Sequence, residues 1–128
     1  MMKAVLIAGL MLLCAAPAWA LDCKKASTQA DMNACAAQSF GKADAALNAA
    51  YKDLMAKQDK AGQAGLKKAQ RAWLQYRDLQ CAFNTAGSFG GTVHPMVLAA
   101  CREALTKAQT AVLLAQSRCE EGDLSCSH

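Results

Sequence analysis

The sequence is short of almost everything that catalysis, a metal site or a β-sheet calls for. It has two histidines in 128 residues, His94 and His128. They form no ligand pair, and no Cys-x-x-Cys spacing occurs, so zinc is not indicated. No stretch alternates apolar and polar residues over the length of a strand, and no internal repeat is visible. Aromatic residues make up only 5% of the chain and interleave with no Lys/Arg cluster. Nucleic-acid binding is therefore not indicated. Beyond residue 20, no apolar run approaches the roughly 20 residues a membrane helix needs. The composition implies no cofactor.

The first twenty residues are a separate matter. Lys3 precedes an unbroken apolar run from Ala4 to Ala16, and Pro17-Ala18-Trp19-Ala20 closes it with an Ala-x-Ala pattern. This reads as a secretory signal peptide over 1–20, cleaved before Leu21. Lipid attachment at Cys14 would need a small residue before it, and Leu13 is not small. The formal charge of +4 falls by one with Lys3, which leaves a mildly basic mature chain. That chain is long enough for one small domain.

Of seven cysteines, Cys14 belongs to the leader. Cys23, Cys35, Cys81, Cys101, Cys119 and Cys126 remain. An even number in an exported chain reads as three disulfides.

What the mature chain does have is helical periodicity. Ser27 or Thr28 can cap a first helix, and Thr28-x-x-Asp31 is a weak capping box. That helix carries Met32, Cys35, Ala36, Phe40, Ala43, Leu47, Tyr51 and Leu54 at spacings of three and four. Alanine, the best helix former, is abundant in it, and Gly41 is its weak point. Gly62 and Gly65 mark a turn. A central helix runs from about Gly65 to Asn84 with two stripes. Leu66, Ala69, Trp73, Tyr76, Leu79 and Phe83 fall on one side; Gln70, Leu74, Arg77 and Cys81 fall on another. A surface helix needs only one apolar stripe, so two suggest a helix sandwiched between its neighbours. A glycine-rich loop follows from Thr85 to Pro95, since proline suits the first position of a helix. The third helix carries Leu98, Cys101, Leu105, Ala108, Val112 and Ala115 and ends near Arg118. Short connections imply antiparallel neighbours. The fold class is all-α: a small antiparallel three-helix bundle stapled by disulfides.

Counting outward from the turns sets the register. A first turn near residue 61 places Asp44 level with Arg77 or Asp78, and Asn48 level with Leu74. A second turn near residue 91 places Cys81 level with Cys101. The preferred pairing is Cys23–Cys35, Cys81–Cys101 and Cys119–Cys126. The rival pairs Cys35 with Cys81 and Cys23 with Cys101. Asp44, Leu47, Asn48 and Tyr51 share a face, which gives Asp44 the partner Arg77 and Asn48 the partner Gln70. Such polar groups can fix helix register or line a site.

No catalytic constellation emerges, since a nucleophile needs a base and an oxyanion site. His94 reads as a loop residue that helps cap the third helix. Asp53 and Asp59 read as solvated, and Glu103 as surface. Paired carboxylates for glycoside hydrolysis need a cleft, and none is evident. Gly87-Ser88-Phe89-Gly90-Gly91 lacks the lysine and the strand context of a phosphate cradle. It is either a plain connection or a binding loop, Ser88 to Gly91, with Phe89 exposed at its tip.

Several of these segments together resemble a known family. They are Asp44-x-x-Leu47-Asn48-x-x-Tyr51, then Leu66-x-x-Ala69-Gln70-Arg71-x-Trp73-x-x-Tyr76-Arg77-Asp78-x-x-Cys81, then Gly90-Gly91-Thr92 and Cys101. Over roughly Cys23 to Leu114 the chain is similar to the lysozyme-inhibitor LprI-like family. The resemblance implies a small, largely helical, exported or envelope-attached bacterial protein that inhibits lysozyme, although many members are domains of unknown function. It makes Asp44, Asn48, Tyr51, Gln70, Trp73, Tyr76 and Arg77 the structural motif. The chain departs from the family at Gln109, where arginine is frequent, and Cys119 and Cys126 lie outside the family core.

The resulting expectation is a leader (1–20), an LprI-like helical domain (21–118) and an acidic tail (119–128). The protein is expected to be periplasmic or secreted, non-enzymatic and free of metal, with a protein partner such as a lysozyme. The alternative is a periplasmic structural or interaction module that binds an envelope partner without inhibiting lysozyme.

Overall fold

A computed structural model describes residues 21–120 and 122–126. The leader with its cleavage site, Glu121, Ser127 and His128 lie outside the described residues. Three helices run in order: α1 (Gln29–Ala56), α2 (Lys60–Asn84) and α3 (His94–Ser117), with a 3-10 turn at Ala86–Ser88 before α3. Among the described residues there is no strand, and no helix is long and apolar enough to cross a membrane.

Thr28 starts α1 by accepting a hydrogen bond from the Asp31 backbone N–H at 3.1 Å. This satisfies one of the donors that a helix start leaves open. Gly41 lies within an unbroken α1. The turn to α2 comes earlier than the glycines suggest. Asp59 accepts from the Gly62 N–H at 2.7 Å and caps α2, so Gly62 and Gly65 sit inside its first turns. Asp59 is thus a cap rather than a merely solvated carboxylate, and a good cap outweighs two weak helix formers.

The chain runs up, down and up, so α1 and α3 are parallel. Asn33 Nδ2 donates to the Thr92 carbonyl at one end, and Lys57 Nζ donates to the Ser117 carbonyl at the other. These two helices pack closest along their length. Ala43, Leu47, Ala50 and Leu54 of α1 are buried, with Ala99, Thr106 and Leu113 of α3. The small alanine and threonine side chains let the backbones approach. The buried α3 positions recur every seven residues and lie one residue beyond the expected stripe of Leu98, Leu105 and Val112. Val112 is exposed.

α2 is not sandwiched, which corrects the expectation from its two stripes. It rests against the α1/α3 pair mainly through the polar stripe, whose Gln70, Arg77 and Cys81 are its buried residues. On the other stripe only Leu66 and Trp73 pack against the core. Tyr76, Leu79 and Phe83 stand exposed. Because α1 and α3 already cover each other, only one side of α2 has a partner.

The disulfides are Cys23–Cys35, Cys81–Cys101 and Cys119–Cys126. The first folds the lead-in onto α1, the second ties α2 to α3, and the third closes the tail on itself. The rival pairing is thereby excluded. Disulfides of this density are typical of small exported domains.

Candidate functional site

Two groups of residues stand out, one at the middle of the bundle and one at its loop end. At the middle, Arg77 reaches all three helices. Its Nη1 lies 3.1 Å from Asp44 Oδ1 on α1 and 3.4 Å from Thr106 Oγ1 on α3. Its Nε donates to Asp78 Oδ1 at 3.0 Å, and Asp78 in turn pairs with Arg102 of α3 at 3.3 Å. The guanidinium lies 5.2 Å from the Phe40 ring centroid and 5.5 Å from that of Trp73. Arginine suits this place because its flat fork donates in several directions while its faces rest on aromatic rings. Only 8% of Arg77 is exposed, so substrate or partner has little access to it. The arrangement is a structural clasp.

The expected pairing of Asp44 with Arg77 is present. That of Asn48 with Gln70 is not, because Asn48 Nδ2 donates to Asp44 Oδ2 on its own helix at 3.3 Å. Tyr51 packs against the core cluster with Trp73. Sequence reasoning missed Thr106 and Arg102. The signal for Thr106 was a polar residue seven positions from both Ala99 and Leu113. Glu103 is not the plain surface residue expected: its side chain is 18% exposed and bonded to Lys107 of its own helix. Hydrogen bonds from Lys107 and from Ser39 of α1 hold its carboxyl below the ordinary carboxylate range.

At the loop end, Thr85 closes α2 by donating from Oγ1 to the Cys81 carbonyl at 2.7 Å. The chain then turns through successive short backbone hydrogen bonds: Ser88 to Thr85, Phe89 to Ala86, Gly91 to Ser88 and His94 to Gly91. Gly90 has φ +79°, in the left-handed region where glycine carries no Cβ penalty. A Cβ at Gly91 would lie 3.1 Å from the Ser88 carbonyl oxygen. Between these fixed points Phe89 projects with 83% of its surface exposed. Its ring meets His94 edge-on, with centroids 5.6 Å apart.

His94 does not cap α3 with its side chain. The cap position is Val93, and no side-chain bond is made there. Instead His94 Nδ1 lies 2.9 Å from Ser88 Oγ. Ser88 Oγ also lies 2.9 Å from the Thr85 carbonyl. When its one proton goes to that carbonyl it accepts from His94 Nδ1–H, the reverse of what a general base acting on a serine nucleophile needs. The pair serves to hold the loop.

In the tail, ligand atoms of Cys119, Asp123 and Cys126 lie within 4.8 Å of one another. Both sulfurs are spent in the disulfide, so no thiolate is available to a metal.

A family model described as "Lysozyme inhibitor LprI" matches residues 22–113. This span takes in all of α1, α2 and the loop, and most of α3. The chain belongs to the LprI lysozyme-inhibitor family. It is also 43% identical, over 121 residues, to an uncharacterized protein of Rhizobium meliloti (strain 1021), covering 81% of this chain and 87% of that one. No solved structure matches it. The LprI match ends before Cys119 and Cys126, so the tail ring lies beyond the family span. The family's description as lysozyme inhibitors favours a protein partner over a small substrate. Family membership and the three disulfides together agree with an exported protein.

Proposed function

We propose that this LprI-family protein is a periplasmic or secreted inhibitor of lysozyme, and that Ser88, Phe89, Gly90 and Gly91 form its contact surface. The observation that carries the reading is Phe89. A large aromatic ring, 83% exposed, is held out by a rigid turn rather than folded back onto the bundle. Exposed aromatic groups on rigid supports commonly anchor protein interfaces, because little side-chain freedom is lost on binding. The net basic charge provides no long-range attraction to a basic lysozyme, so contact must depend on local apolar fit.

The test is a cell-wall lysis assay with the exported, oxidised protein against lysozymes of several structural types. The reading expects dose-dependent inhibition of at least one type, weakened about tenfold or more by Phe89→Ala, as for an interface hot spot. Circular dichroism should show that variant folded. Absence of inhibition at a large molar excess over every enzyme would sink the proposal.

A second reading rests on Tyr76, Leu79 and Phe83, the exposed ridge of α2. Contiguous apolar surface of this kind marks interaction sites. In this reading the protein is an interaction module for an envelope partner and does not inhibit lysozyme. The variants separate the two: Phe89→Ala should weaken inhibition in the first case, and Phe83→Ser should weaken partner capture in the second.

A further inference from the structure

At the end of the bundle opposite the Phe89 loop, the first half of α2 stands away from the last half of α3. Between them is a cleft of about 360 Å³. This is within the usual range of small-molecule sites, about 300–1,000 Å³. Leu54, Leu66, Val112 and Leu113 supply apolar walls, and Gly65 adds no side chain. Glycine leaves the space open here: a Cβ built on Gly65 would have nothing within 4 Å.

Two properties of the lining define what fits. None of the residues that form the cleft carries a charge. An ionised ligand would lose its hydration there without gaining a counter-ion, which is strongly unfavourable. The second property is Gln70. It lines the cleft, it is only 8% exposed, and its side-chain oxygen is buried with no hydrogen-bond partner. Buried acceptors without a donor are uncommon in folded proteins and ask for an explanation. A hydroxyl group both donates and accepts, so it would satisfy the amide of Gln70 in either orientation of that amide.

We propose that the cleft between α2 and α3 binds a small neutral amphiphile, an aliphatic or aromatic body ending in one hydroxyl, with the hydroxyl hydrogen-bonded to Gln70. The site is separate from the Phe89 loop, and neither depends on the other.

The experiment is a titration of the exported, oxidised protein with 1-octanol, followed by amide chemical shifts. Sodium octanoate, of the same chain length but charged, is the control. The expected result is saturable shifts in 62–70 and 109–116 with the alcohol, and binding at least tenfold weaker with the carboxylate. Gly65→Leu places a side chain in the open space and should abolish the shifts while the protein stays folded. Gln70→Leu should weaken the alcohol about tenfold, the loss expected when a ligand hydroxyl finds no partner. A spectrum without saturable changes would overturn the proposal, leaving a buried water as the partner of Gln70. So would equal binding of alcohol and carboxylate, or binding that survives Gly65→Leu. If Gln70→Leu alone left alcohol binding unchanged, the assigned role of the amide would be wrong and the proposal with it.

Discussion

Arg77 Nη1 stands 3.1 Å from Asp44 Oδ1, and that contact joins the middle of α2 to the middle of α1. Asp44 is partly open to water, with 38% of its side chain exposed, while the arginine is buried. The two partners are therefore unequal. Arg77→Ala removes the ion pairs with Asp44 and Asp78, a hydrogen bond to Thr106 and the contacts with Phe40 and Trp73. It should lower stability by about 3 kcal/mol, the low end for breaking a buried pair. Asp44→Ala leaves the arginine with Asp78 and should lower it by only about 1 kcal/mol. Arg77→Lys should fall close to Arg77→Ala, because an ammonium cannot match the planar fork. Urea unfolding midpoints for the three variants check this order.

The three disulfides should differ in worth. Cys81–Cys101 closes a loop of 20 residues and joins two helices. Replacing both cysteines with alanine should destabilise the fold by about 3 kcal/mol, as expected for a loop of that length. Cys119–Cys126 spans only 7 residues in the tail. Its removal should move the thermal midpoint less, since it joins no two helices and the ring meets α3 through the hydrogen bond from Gln116 Nε2 to the Ser125 carbonyl at 3.1 Å. Calorimetry of the two double variants reads both effects.

Glu103 makes a prediction about acid. Hydrogen bonds from Lys107 and Ser39 lower its pKa below the ordinary value of 4.5. A carboxyl with a lowered folded pKa stabilises fully above its unfolded value, and that contribution fades as pH falls through the folded one. Glu103→Gln should therefore be less stable than the native protein at neutral pH. The gap should hold down to about pH 4.5 and close below it. Denaturation curves taken across that range test the sign.

Gly62 and Gly65 should respond differently to alanine. Both lie in α2, where alanine is the better helix former by about 1 kcal/mol. At Gly65 the new methyl group would meet nothing within 4 Å, so Gly65→Ala should stabilise the protein by about 0.5–1 kcal/mol. At Gly62 it would lie 2.7 Å from Gln58 Oε1 and 3.1 Å from its Cβ. Gln58 is buried and cannot yield freely, so Gly62→Ala should gain nothing or lose stability. The thermal midpoint should rise for Gly65→Ala and should not rise for Gly62→Ala.

These residues also show where sequence reasoning reached and where it stopped. Helix number and the Cys81–Cys101 bond were legible, because turn positions and a period near 3.6 show which residues stand level, whereas the choice between the preferred and the rival full set of cysteine pairs was left to the structure. Arg77 and Asp44 met as counted. Which face of α2 turned inward was not legible. Its apolar stripe and its polar stripe both have helical spacing, and only the close packing of α1 on α3 decides that the polar one is covered. The α3 stripe was displaced by one residue for a related reason. With alanine on several sides, hydrophobicity alone scarcely favours one face. The weak helix propensity of Gly62 and Gly65 is visible in the sequence and reads as punctuation, while the stronger signal, the cap at Asp59, looks in sequence like any solvated acid. In the loop, the glycines pointed to a turn, but the Ser88–His94 contact depends on a fold-back that spacing alone does not specify.

The parallel course of α1 and α3 has a practical corollary. Asn33, near the start of α1, bonds to the Thr92 carbonyl, so the amino-terminal end of the domain lies beside the loop that carries Phe89. The carboxyl-terminal ring, Cys119–Cys126, follows the far end of α3, a helix of 24 residues or about 36 Å. A protein immobilised by its amino-terminal end would turn that loop toward the support. One immobilised by its carboxyl-terminal end would hold it out into solution. Surface-based binding measurements on this domain should therefore depend on which end carries the tag.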